Sequence, residues 1–102
     1  MALNPELKDL LQKNLDTALG VYQDVKGTKD SLTEFLQRWE VEGDPYNFMQ
    51  GFMIGDLQGS AVNTARTILG RALTKDERSD IISMIDEAKF KVKDLITRLK
   101  NV

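Results

Sequence analysis

Cysteine and histidine are both absent from the 102 residues. Without cysteine the chain can form no disulfide, thiolate nucleophile or zinc-thiolate site, a composition that suits a reducing compartment. Without histidine it has no imidazole base or imidazole metal ligand, which removes most zinc chemistry and the Glu-x-x-His di-iron sites. Proline occurs only as Pro5 and Pro45, and aromatics make up 7% of the chain. No apolar run approaches the roughly 20 residues of a membrane-spanning helix. The opening Met1-Ala2-Leu3-Asn4-Pro5-Glu6 has neither the basic nor the apolar region of a signal peptide, so a cytoplasmic location is expected.

What remains suits one small globular domain spanning residues 1–102. Hydrophobic residues make up 41% and charged residues 29%, enough for one modest core and too balanced for a disordered chain. Charge is divided unevenly. Residues 1–60 hold five Lys/Arg against ten Asp/Glu, and residues 61–102 hold nine against six. That polarity can join the two halves within a molecule or two molecules head to tail.

The helix signals predict an all-α, four-helix bundle-like domain that ends in a long antiparallel hairpin of its last two helices. Asn4-Pro5-Glu6 reads as a cap, a first-turn proline and an acid at the positive helix end. Leu7, Leu11, Ala18, Tyr22 and Val25, widened by Leu10, Leu15 and Val21, form the apolar stripe of a first helix over 5–25 that Gly27 stops. Ser31-Leu32-Thr33-Glu34 is a capping box for a short second helix, with Leu32, Phe35, Leu36 and Trp39 as its buried face and Gly43 as its end. Asp44-Pro45 starts a third helix reaching about Ala72. Thr74-Lys75-Asp76-Glu77 caps a fourth, whose Ile81, Ile85, Ala88, Val92, Leu95, Leu99 and Val102 form a heptad seam.

Two features of the third helix suggest contact surfaces. Gly51, Gly55 and Gly59 recur every four residues as a ridge without side chains, which accepts a close neighbour in this chain or another. Asp56, Ser60, Asn63, Thr64, Thr67 and Arg71 form a polar strip that is either solvent-facing or a ligand site. The uncharged stretch from Tyr46 to Gly55 lacks the flanking cations of an interfacial membrane helix.

Catalytic signals are weak. Asp76 and Asp80 can share a helix face and hold magnesium, but no second acidic cluster faces them, and first-turn acids complement the helix dipole unaided. No strand precedes the glycines as a phosphate loop requires. Lys89, Lys91, Lys93, Arg98 and Lys100 scatter around the last helix instead of forming the single basic face of a nucleic-acid binder. The expected function is therefore non-catalytic association, with no enzyme activity, metal or other cofactor. A fourth helix of about 27 residues would run roughly 40 Å, beyond the roughly 34 Å width of a compact domain this size. Its overhang would be covered by a second copy, or by another protein, through Phe48, Gly51, Phe52, Gly55, Gly59, Ile85, Val92 and Leu99. Nucleic-acid binding, and behind it a small magnesium enzyme, are the alternatives.

Overall fold

A computed structural model describes residues 2–102. Among these the chain is all-α, with five helices and no strand: α1 (Pro5–Val21), α2 (Val25–Arg38), α3 (Pro45–Leu69), α4 (Lys75–Glu87) and α5 (Lys89–Lys100). No helix among the described residues is long and apolar enough to cross a membrane.

The caps explain most boundaries. Asn4 accepts the Leu7 amide at 2.8 Å, and Asp44 accepts those of Tyr46 and Asn47, each just before its proline. Thr74 and Glu77 close the reciprocal capping box of α4.

The start of α2 departs from expectation. Asp24 is the cap, its carboxylate accepting the Gly27 amide at 3.1 Å, so α1 ends at Val21 and Ser31 lies inside α2. Gly27 does not stop α1. It sits in the first turn of α2, where an added Cβ would collide with the Asp24 carboxylate. The helix also ends before Gly43. Glu40 takes a left-handed conformation (φ 53°), while the Glu40 and Val41 amides bond back to Gln37 and Leu36 in a Schellman closure.

The single fourth helix expected from the heptad seam is two helices. At Ala88 (φ −85°, ψ −4°) the Ala88 amide reaches Ile85 at 3.0 Å and the Lys91 amide reaches Ala88 at 3.0 Å, both one residue tighter than α-helical bonding. Ala88 is buried at this joint and is neither glycine nor proline, so no local residue signals it. The seam residues serve two cores, dividing one turn before the joint, between Met84 and Ile85. Ile81 and Met84 meet Leu3, Leu7, Leu11, Ala65 and Leu73 at one end of the molecule. Beyond them Ile85, Val92, Leu95 and Leu99 meet Leu15, Leu19, Leu32, Met49, Met53 and Leu57.

By contrast α3 is unbroken through all three of its glycines. Met49, Met53, Leu57 and Ala65 supply buried contacts along its whole length, and such packing outweighs the roughly 1 kcal/mol cost of each interior glycine. The molecule measures 40 × 24 × 17 Å. The expected overhang is not present, because α1 and α4 pack on one part of α3 while α5 packs on α3 and α2. Basic α5 lies on the acidic half, but among the described residues the ion pairs, Arg38–Glu34, Arg71–Glu77 and Arg98–Asp94, each form within one half. Arg98 donates to Gln23 at 2.7 Å, Lys100 sits 5.6 Å from the Tyr46 ring centre, and Lys29 reaches the Val102 carbonyl.

Candidate functional site

α2 is the most loosely seated helix, with Leu32 as its one fully buried residue. Between it, the C-terminal end of α1 and the first half of α3 lies an open groove of about 380 Å³. Its walls are Val21 and Tyr22, then Leu32 and Phe35, then Phe48, Met49 and Phe52. Phe35 lies 5.6 Å from Phe48 and 6.1 Å from Phe52 between ring centres, and Trp39 continues the row 6.3 Å beyond Phe35. These aromatics are not sealed into the core. Trp39 is 65% exposed, Phe52 45% and neighbouring Val21 70%. An exposed row of aromatics of this kind is the usual mark of a contact surface.

The expectation that Phe35 and Trp39 would join the buried face of the second helix is therefore corrected. Leu32 and Leu36 sit on the core side, whereas Phe35 and Trp39 sit on its edge. Spacing places all four on one flank but does not say how far the neighbour extends over it.

Tyr22, Thr28 and Ser31 add neutral polar groups to the groove, and its charge is acidic. Asp24 is the one charged residue among those lining it. Tyr22 donates its hydroxyl to Asp56 at 3.0 Å. Burial, then this bond and the carboxylate charge, push the Tyr22 hydroxyl up to about 12, so it stays a neutral donor. Past Trp39 the connecting loop carries Glu40, Glu42 and Asp44. Of the three bases between residues 20 and 56, Arg38 is paired with Glu34 and Lys29 is turned toward the chain end, leaving Lys26.

The glycine ridge lies beside this groove and faces outward. A Cβ built on Gly51, Gly55 or Gly59 meets no atom within 4 Å, so no helix of the same chain packs there. Phe48, half-buried, and Phe52 stand on the adjoining flank of α3. The other three expected interface residues are placed differently. Ile85, Val92 and Leu99 are buried inside the chain's own core, because α4 packs on α3 and α5 on α2 and α3, and none is available to a partner.

The polar strip is only partly assembled. Asp56, Ser60, Asn63 and Thr67 are exposed along α3, with Thr67 donating to the Asn63 carbonyl, and Thr64 is half-buried. Arg71 has left the strip. It lies past the end of α3 and grips Glu77 through two bonds of 2.7 and 3.0 Å. That fork and the Thr74 amide hold the Glu77 carboxyl down at about 2.

Asp80 is engaged as well. It accepts the Ala2 and Leu3 amides at 2.8 and 3.0 Å, tying the start of the chain to α4, and those bonds hold its carboxyl below its ordinary range. Asp76 and Asp80 thus do not stand as a free pair. Among the described residues no group of three or more carboxylates is placed to hold a metal ion.

The fold and this groove define a small all-α domain with an open, acid-flanked aromatic surface. No protein-family model matches the chain, and neither a curated protein nor a solved structure matches it.

Proposed function

We propose that this protein is a non-catalytic protein-interaction module whose groove between α2 and α3 receives the apolar face of a helix from a partner chain. The observation that carries the reading is the row of exposed Phe35, Trp39 and Phe52 with half-buried Phe48, at an open cavity about 380 Å³ in volume. A helix laid in such a groove inserts side chains one turn apart.

Self-association, expected from the sequence, is a second form of this reading. The bare strip at Gly51 and Gly55 favours it, because a helix backbone of another copy can approach there closely.

Selection of displayed random helical peptides on the wild type and on Phe52→Ser tests the proposal. Sequences enriched on the wild type and lost on the variant support it. Enrichment that is equal on both, or absent from both, refutes it. Light scattering at micromolar concentration reads the self-associated form directly.

A further inference from the structure

Both ends of the groove carry acid, and of the three bases between residues 20 and 56 only Lys26, in the first turn of α2, is left unpaired. Asp24 and the Tyr22-bound Asp56 stand at the α1 end, and Glu40, Glu42 and Asp44 follow Trp39 at the other. At that second end Arg38, next to Trp39 in the chain, is paired with Glu34, and Lys100 lies against the Tyr46 ring. We infer that the partner helix is cationic and amphipathic, with an apolar stripe against Phe35, Phe48 and Phe52 and Lys or Arg near both ends. This rests on the groove being the interaction site.

A second copy laid face to face fits less well. A two-fold contact would bring Asp24, Asp56 and the acidic loop of one molecule against the same groups of the other, and like charges opposed across an interface disfavour pairing. The basic helix of a second copy is committed too, since α5 is buried against α2 and α3 along Val92, Leu95, Ile96 and Leu99. The occupant is therefore another protein's helix. Its length follows from α2, whose 14 residues span about 21 Å.

Trp39, the single tryptophan, reports the test. Two synthetic peptides share one leucine stripe at helical spacing, and one carries Lys on all other positions while the other carries Glu. The Lys peptide is expected to shift Trp39 emission to the blue at micromolar concentration, and the Glu peptide is expected to leave it unchanged. Asp24→Asn with Asp56→Asn, which keeps an oxygen for the α2 cap and for Tyr22, should weaken the Lys peptide roughly fivefold. Phe52→Ser, at unchanged net charge, should weaken it by roughly tenfold or more.

Equal binding of both peptides, or no binding of the Lys peptide, overturns the charge inference. If the peptide selection nevertheless yields uncharged helices lost on Phe52→Ser, the interaction module stands without it. Lys-peptide binding that Phe52→Ser leaves untouched lies outside the groove and overturns both. A dimer that Phe52→Ser dissolves makes the second copy the occupant and overturns the inference alone.

Discussion

The two ends of this molecule are built on opposite terms. At the end formed by α4, the start of α1 and the close of α3, polar groups tie the chain segments together around a buried core, with Leu10, Ile68 and Ile82 exposed outside it. Leu3, Leu11, Ala65 and Ile81 are almost wholly buried, Arg71 and Thr74 converge on Glu77, and Asp80 holds the Ala2 and Leu3 amides. At the other end α2 leaves Val21, Phe35, Trp39 and Phe52 at the surface around a groove. A small domain cannot cover every apolar side chain it carries. Here the exposed aromatics of α2 and α3 gather at the groove, while Leu10, Ile68, Ile82 and Phe90 are exposed singly elsewhere, and the most extensive polar ties lie away from the groove.

If the closed end carries the stability, Ile81→Ala should have the largest effect, destabilising by about 2–5 kcal/mol in chemical denaturation because it opens a cavity in a packed site. Phe52→Ala should cost only about 1 kcal/mol, since much of that ring already meets water. Equal losses from the two would erase the distinction between the ends.

The glycines of α3 offer the next test, with opposite sign. Gly51→Ala, Gly55→Ala and Gly59→Ala together should stabilise the protein by about 2–3 kcal/mol, because each removes backbone freedom from the unfolded chain and none meets an atom in the fold. A destabilised triple variant would show that the strip is covered, for example in a dimer, and mass by light scattering would identify that case.

Acid should act on the closed end first. The folded-state Glu77 carboxyl lies near 2 against an ordinary 4.5. The stability it contributes is therefore fully present above about 4.5 and lost as pH falls from there toward 2. Asp80, also lowered, adds in the same direction. Hydrogen exchange across that range should quicken at the Ile81 and Met84 amides before those of Leu95 and Leu99. In Glu77→Gln the acid-dependent loss should be smaller. Simultaneous loosening of both ends would show that they are one cooperative unit.

The smallest effect concerns how α2 ends. Glu40 is an ordinary residue in the left-handed region, a conformation glycine adopts freely, so Glu40→Gly should raise stability by about 0.5–1 kcal/mol in thermal or denaturant melts. It also removes one acid from the far end of the groove. A slight loss of cationic-peptide binding alongside that gain would sharpen the separation of stability from recognition.

The sequence by itself determined the helical class, the caps at Asn4, Asp44 and Thr74, and the burial of Leu7, Leu11 and Leu15 along α1, though Leu10 and Val21, expected on the same stripe, are exposed. These depend on interactions within a few residues, or on a period that a helix turns into a face. Ser31-Leu32-Thr33-Glu34 satisfied the same local rule and was overridden, because Asp24 opens the helix two turns earlier and encloses that box within it. Tertiary structure alone decided the joint at Ala88, the division of the seam residues between two cores after Met84, and the outward face of the glycine ridge. It also decided which members of one apolar flank met a neighbour, burying Leu32 while leaving Phe35 and Trp39 in the groove wall. Periodicity fixes the side of a helix on which a residue lies, whereas the width of what covers that side depends on where the other helices come to rest.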